Sequence, residues 1–327
     1  MGATTRAAAA AAAALSSSSS SSSPSKASTD HDTTTTKTTA ATTMTSTTKN
    51  NARFNAEAAA WDSNPFIQAM SAEAWRAIQN NVTCFRDSSE TGRPPANAKP
   101  NVLEIGCGTG TLSLLVAPHA QQLVAVDAAE GMVEVLKGKL ADNAQDFHEK
   151  KKKSREPKMD FSNVVPICVM LEDPEDPNLP PRSSSSSSSN STTKATVTVV
   201  MSVFDLVISH LVLHHIPDMA PVLRTMLGCL KPDGVVALTD FEDFGPEARR
   251  FHPEGKMEGV ERHGINKEAM RQLMCEVGFA EVRVEVAWRT QKKVEKFPGE
   301  FGDTADGAEG QGEEMEFPFL ICTGKRP

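Results

Sequence analysis

The chain has 327 residues, 34 basic and 42 acidic side chains, and a formal net charge of −8. That balance argues against a broad nucleic-acid or anionic-membrane surface, though not against a small local patch. No run reaches the roughly 18 apolar residues that would span a bilayer. The six cysteines (Cys84, Cys107, Cys168, Cys229, Cys275 and Cys322) lie far apart with no CxxC pair. They are expected to be free thiols in a reducing compartment, and the paired spacing of a cysteine zinc site is missing.

Residues 1 to 52 are mostly Ala, Ser and Thr with almost no large apolar side chain. Such a stretch buries too little surface to offset ordering entropy, so it is expected to be a disordered tail. Arg6 and the alanine run after it also fit an organelle transit peptide, which would send the protein to mitochondria rather than leave it in the cytoplasm. The remainder, 53–327, is expected to form one domain. Three low-complexity stretches interrupt it, near 146–160, 174–196 and 298–316, and these predict surface loops rather than domain boundaries.

The pair Asn64-Pro65 predicts a helix start, followed by Phe66, Ile67, Met70, Ala74, Trp75 and Ile78 on one helical face. Val102–Ile105 predicts a short apolar strand and Thr109–Ala117 a helix. Leu123–Val126 predicts a strand ending at Asp127, Met132–Leu140 a helix, and Val164–Leu171 and Phe204–Ser209 two more strands. Asp218 predicts the cap of a helix reaching about Leu230. Lys231–Gly234 predicts a turn, Val235–Thr239 a strand, and Ile265–Val277 a helix ended by Gly278. Val282–Trp288 and Phe317–Thr323 have no helix between them and predict an antiparallel hairpin at the sheet edge. The earlier strands are continuously apolar, as strands covered by helices on both faces must be. Alternating strands and helices give an α/β fold with a mostly parallel sheet.

The first strand runs into Gly106-Cys107-Gly108-Thr109-Gly110 at the edge of the sheet where α/β proteins bind ligands. Without Cβ atoms the loop can turn sharply and let a ligand rest on its backbone. A dinucleotide would want GxGxxG, but Thr111 holds the sixth position. Glu104, two residues before the first glycine, also suits a cation better than a pyrophosphate. Asp127 ends the second strand about 20 residues on, where a carboxylate can accept both ribose hydroxyls.

Through these residues the chain resembles the Rossmann-like S-adenosylmethionine-dependent methyltransferases, of the small-molecule type. "VLEIGCGTG" matches their first motif, "LVAVDAAEGMVEVLKGK" the ribose-binding strand and helix, "FDLVISHLVLHHIPD" the fourth strand and "LKPDGVVALTD" the fifth. The resemblance covers roughly Phe54 to Gly324. It implies a seven-stranded sheet with the last strand antiparallel and helices on both faces. It further implies that Glu104, Gly106, Cys107, Gly108 and Gly110 hold the methionine end of S-adenosylmethionine, that Asp127, Ala128 and Met132 lie on the ribose side, and that Ser209 and His210 line the sulfonium side. The family's usual adenine-binding acid falls at Met170 here, which leaves Glu172, Asp173 or the backbone as the expected adenine contact. In relatives the N-terminal helix closes over the cofactor, which assigns a lid role to the region of Trp61.

Beyond the fifth strand, "TDFEDFGPEARRFHPEGKMEGVERHGI" supplies candidate acid–base groups at the edge where an acceptor would sit. His252, His263 and Asp240 are the catalytic candidates. Either histidine could instead order the loop, and Asp240 could merely end the strand. His214-His215 is expected to orient the turn into the helix that Asp218 caps. Carboxylate and histidine together could ligate a metal, but no spacing fixes such a site, and none is assigned. The expected reaction is methyl transfer to an O, N or C atom of a small organic acceptor, with no nucleic-acid partner; the oligomeric state has no signature. The rivals are a protein or RNA methyltransferase, a NAD-dependent oxidoreductase and a non-catalytic cofactor-binding protein.

Overall fold

Val102, Leu103 and Ile105 are almost fully buried, and the strand that carries them, Asn101–Ile105 (β1), forms the centre of the sheet. The structure is a computed structural model and describes residues 46–85, 99–150, 159–180, 203–302, 304 and 307–327. They belong to a compact unit spanning Met44–Pro327. Six further strands flank β1: Gln122–Asp127 (β2), Val164–Cys168 (β3), Phe204–His210 (β4), Leu230–Phe241 (β5), Ala280–Val294 (β6) and Glu313–Lys325 (β7). Their order is β3-β2-β1-β4-β5-β7-β6. The first five are parallel to one another, and β7 is antiparallel to both β5 and β6. The chain leaves β1 towards β2 and β3, then returns to β4 on the other side. The crevice at the carboxyl ends of β1 and β4 is therefore the switch point where such sheets take ligands.

The helices are Ser46–Trp61 (α1), Pro65–Asn81 (α2), Thr111–Val116 (α3), Glu130–Lys150 (α4), Met219–Cys229 (α5) and Lys267–Val277 (α6). Side-chain alternation along β1 separates two cores. Leu103 and Ile105 join Val124, Val207 and Leu238 against Leu223 and Met226 of α5 and Met270 and Met274 of α6. Val102 joins Leu123, Leu206 and Ile208 against Trp75 and Ile78 of α2, Leu112 and Val116 of α3, and Leu136 of α4. Glu104 follows Val102 on this second face, so it sits beneath α3.

The caps explain where the helices begin. Phe66 N donates to Asn64 Oδ1 at 2.9 Å, Ala220 N to Asp218 Oδ1 at 3.0 Å, and Ala269 N to Asn266 Oδ1 at 3.0 Å. Gly278, at φ 112°, ends α6. α3 starts at Thr111, after Gly110 in left-handed backbone at φ 83°, and not at Thr109. A Cβ on Gly110 would lie 2.4 Å from Leu136 Cδ1. Gly110→Ala therefore combines backbone strain with a clash in the second core, and is expected to lower stability by about 1–3 kcal/mol in urea unfolding. An unchanged midpoint would mean that the loop relaxes freely.

Several boundaries differ from the sequence reading, each for a local reason. α1 begins at Ser46, inside the stretch 1–52 expected to be disordered; its first turns are polar, and what holds the helix is the packing of Phe54, Ala58 and Trp61 against Ala129, Met132 and Val135 at α4. α4 continues to Lys150, into the insertion near 146–160, where Ala141, Ala144, Gln145, Glu149 and Lys150 favour helix and no Gly or Pro intervenes. β3 stops at Cys168, after which Val169–Leu171 leaves the ladder, with one last bond from Val169 N to Asp127 O at 2.9 Å. The Lys231–Gly234 turn lies within β5, where Asp233 takes φ 62°. β7 begins at Glu313, within the acidic stretch 298–316: Glu314 pairs with Lys293 and Glu316 with Gln291 on β6, and Arg289 bonds Glu316 at 3.1 Å. The tail before residue 46 and the serine tract near Ser183 to Ser189 lie outside the described residues.

Candidate active site

A cavity of about 700 Å³ opens at the carboxyl ends of β1, β2 and β4. That volume suits a drug-sized ligand or a nucleoside-sized cofactor. The β1–α3 loop forms one wall with Gly106, Cys107 and Gly108. Gly108, at φ 53°, has open space where a Cβ would be, so its backbone is bare towards the cavity.

Two acids stand behind that loop. Glu104 lines the cavity yet is almost fully buried, and Ser113 Oγ of α3 donates to its Oε2 at 2.6 Å. Burial pushes its carboxyl up to about 8, against the pull of the Ser113 bond, and the nearby Asp127 adds to the rise. Asp127 accepts from Gly108 N through Oδ2 and from Ala129 N through Oδ1, both at 2.8 Å. Burial raises its carboxyl too, while these backbone bonds oppose the rise. Asp127 thus ties β2 to the glycine loop as well as facing the cavity.

Of the other positions singled out in the sequence, Ala128, Met132, Glu172 and His210 also line the cavity. Gly110, Asp173 and Ser209 do not. Gly110 faces Leu136. Asp173 turns outward, accepting from Glu175 N at 2.8 Å. Ser209 is buried and donates to Ile105 O at 2.7 Å, bracing β4 against β1. Met170, at the family's adenine-acid position, lines the cavity beside Leu171 and Glu172.

The roof comes from α1 through Asn51, Phe54 and Trp61. Polar contacts fasten it. Arg53 Nη1 donates to the carbonyls of Lys256 and Glu258 at 3.0 and 2.6 Å, and Asn55 Oδ1 accepts from Gly131 N at 2.7 Å. Beyond Trp61, Asp62 accepts from Thr109 Oγ1 at 2.6 Å and pairs with Lys139. The sequence pointed to the region of Trp61 here but not to Asn51, which composition placed in the unstructured tail, nor to Phe54.

The histidines are arranged differently from the sequence reading. His210 pairs its Nδ1 with Thr239 Oγ1 at 2.9 Å, and its buried Nε2 has no partner among the described residues. Burial pushes it down to about 4, so the ring is neutral at ordinary pH. Asp240 does not line the cavity; it is buried behind His214, whose Nδ1 lies 2.9 Å from Asp240 Oδ1. His215 lines the cavity and donates from Nδ1 to Gly259 O at 2.8 Å. His252 lies near both, with ring centres 5.1 Å from His214 and 6.1 Å from His215. Burial depresses the basicity of both His215 and His252. His263 stands off the cavity near Arg249 and Asp243, with burial the largest cause of its lowered pKa. The two loop histidines are thus not a pair: His252 joins the His214-His215 turn, and His263 does not.

The methyltransferase-domain family matches residues 70–284 of the chain. An uncharacterized methyltransferase from Schizosaccharomyces pombe is 26% identical over 167 residues, covering 50% of this chain and 47% of that protein, so the chain spans about half the length of this curated relative. A candidate methyltransferase of Bacillus halodurans superposes with a TM-score of 0.49 at 14% identity, over 78% of this chain and 99% of its own. The N-methyltransferase NodS from Bradyrhizobium japonicum, solved in complex with S-adenosyl-L-homocysteine, gives 0.43 at 17% identity, over 86% of this chain and 100% of its own. Among the described residues no helix is long and apolar enough to cross a membrane.

Proposed function

The chain belongs to the methyltransferase-domain family, and from that premise we propose that it transfers the methyl group of S-adenosylmethionine to an oxygen, nitrogen or carbon of a small organic molecule. One observation carries the reading. The bare Gly108 backbone, Glu104 and Asp127 converge on a single roofed cavity at the sheet's switch point. Glu104 would hold the donor's ammonium, Asp127 the two ribose hydroxyls, and the segment Met170–Glu172 would flank the adenine, with Met170 contributing apolar contact where relatives use an acid. When bound, the donor supplies a methyl carbon on a positively charged sulfur.

The residues on the acceptor side do three things. α1 and the His215–Asp218 turn exclude water and favour an acceptor small enough to be enclosed. Val212 and Ile216 supply apolar wall, which orients the nucleophile for in-line attack. His210, neutral and on the cavity wall, would take the proton that an O–H or N–H nucleophile releases as its lone pair bonds to carbon and the carbon–sulfur electrons return to sulfur. This role passes to His210 from His252 and His263, because it alone of the three lines the cavity.

S-adenosylhomocysteine at a hundredfold excess over its Kd should stabilise the protein by about 2.7 kcal/mol, a melting shift of about 5–10 °C, while NADH should give none. Stabilisation by NADH alone would establish the oxidoreductase rival. If labelled methyl groups enter protein or RNA but no small-molecule extract, the acceptor half of the proposal fails while the cofactor half stands.

A further inference from the structure

Three histidines to which the methyl-transfer reading gives no proton to move meet at the edge of the cavity. His214 and His215 form a 3₁₀ turn after β4, and His252 follows another 3₁₀ stretch, Pro246–Phe251. Each offers one ring nitrogen, and the three nitrogens lie within 4.8 Å of one another. In a tetrahedral site with metal–nitrogen bonds of about 2.0–2.1 Å, ligand nitrogens stand roughly 3.3 Å apart, so small rotations of the rings would close the set. We propose that His214, His215 and His252 form a binding site for a divalent first-row transition ion, with Zn(II) the best match.

The surroundings of the rings support this more than the spacing alone. A ligating imidazole commonly donates its other N–H to a carboxylate or a backbone carbonyl, which fixes the tautomer and aims the lone pair. His214 has such a partner in Asp240, with both carboxylate oxygens within 3.1 Å of Nδ1. His215 has one in the Gly259 carbonyl at 2.8 Å. Both bonds hold the hydrogen on Nδ1 and leave Nε2 as the ligating atom. Asp240 is itself fixed by the backbone N–H groups of His214 and Phe241, at 3.2 and 2.9 Å. A buried carboxylate braced in this way supplies the negative charge that a dication in a buried site requires.

Three cations approach the cluster, and all are engaged elsewhere: Arg262 donates to the carbonyls of Leu213, Ile216 and Pro217 at 2.5, 2.5 and 2.9 Å. Arg53 donates to two carbonyls of the 256–258 loop, and Lys292 lies 5.2 and 5.4 Å from the ring centres of Phe66 and Phe251. All-nitrogen ligation disfavours Mg(II) and Ca(II), which take oxygen. Three histidines leave at least one coordination position for water or an incoming heteroatom, as in catalytic zinc sites. Because His215 also lines the cavity, that position adjoins the acceptor space. The proposal stands independently of the donor, since Glu104 and Asp127 take no part in it.

The test is titration of the metal-stripped full chain with Zn(II) in competition with a chromogenic chelator. One equivalent per chain should bind, His252→Gln should lose at least a hundredfold in affinity, and Asp240→Asn about 10- to 100-fold. Asp127→Ala should bind Zn(II) as the unaltered chain does. Should a variant fail to fold, Co(II) loaded into the unaltered protein answers without it, because histidine ligation gives paramagnetically shifted imidazole signals from three rings. Failure of the unaltered chain to compete with the chelator, equal affinity in a folded His252→Gln variant, or Co(II) spectra lacking those signals would each overturn the proposal. In that case the three rings are an aromatic packing cluster.

Discussion

Asp127→Ala is expected to weaken S-adenosylhomocysteine binding by about 2–4 kcal/mol, roughly 30- to 1,000-fold, as read by titration calorimetry. Hydrogen bonds to a charged group contribute about 1.5–3 kcal/mol each when their partners are desolvated, and a ribose offers two hydroxyls to this carboxylate. The substitution also removes the acceptors of Gly108 N and Ala129 N, at 2.8 Å each. A strand-end acid seen only in sequence would predict an intact fold. The structure instead predicts a loosened glycine loop and a stability loss of about 1–2 kcal/mol beside the binding defect. Asp127→Asn separates the two effects: it should keep one of the backbone bonds and most of the stability while binding the ligand weakly. Full affinity in Asp127→Asn would show that the ribose is held elsewhere.

Glu104→Gln is expected to make the ligand-free protein more stable and the ligand-binding protein worse. The folded chain holds the Glu104 proton up to about pH 8, against an ordinary value of 4.5. An acid whose pKa is raised on folding destabilises the fold progressively as pH climbs from the unfolded value to the folded one. At 1.36 kcal/mol per pH unit the penalty is about 3 kcal/mol at pH 7 and absent below pH 4.5. Glutamine mimics the protonated form and can still accept from Ser113 Oγ, so urea midpoints should rise by the equivalent of about 1–3 kcal/mol at pH 7.5 and stay unchanged near pH 4.5. Donor binding should weaken at the same time, because the ammonium loses its counter-charge. A variant less stable than the unaltered chain at pH 7.5 would refute the buried-acid account. A stabilised variant with undiminished affinity would refute the role at the ammonium.

Much of this site was legible in the sequence because it sits where local rules are strong. An apolar run ending in Glu104, three glycines at alternate positions and an acid closing the next strand each have a short-range physical reason, and they land together in space. The caps at Asn64 and Asp218 were equally plain. What stayed hidden depends on distant partners. Ser46 to Asn51 look unstructured by composition and become helix because the residues after them pack on α4. Glu313 to Glu316 look like a solvated loop until β6 lays lysines and a glutamine opposite. Ser209 looks like a ligand contact and proves to be a brace, since its neighbour on β1 offers a carbonyl. His252 and His263 are near neighbours in sequence, and only the fold of their loop sends one towards His214 and the other away.

The helix over the cavity has a consequence for timing. It is pinned to α4 through Asn55, to the 256–258 loop through Arg53, and by the Asp62 link to the glycine loop itself. Lifting Phe54 and Trp61 away from the cavity requires several of those latches to open together. Where opening of such a cover limits turnover, substitutions at Arg53 or Asn55, neither of which lines the cavity, would change the rate without altering the cavity wall.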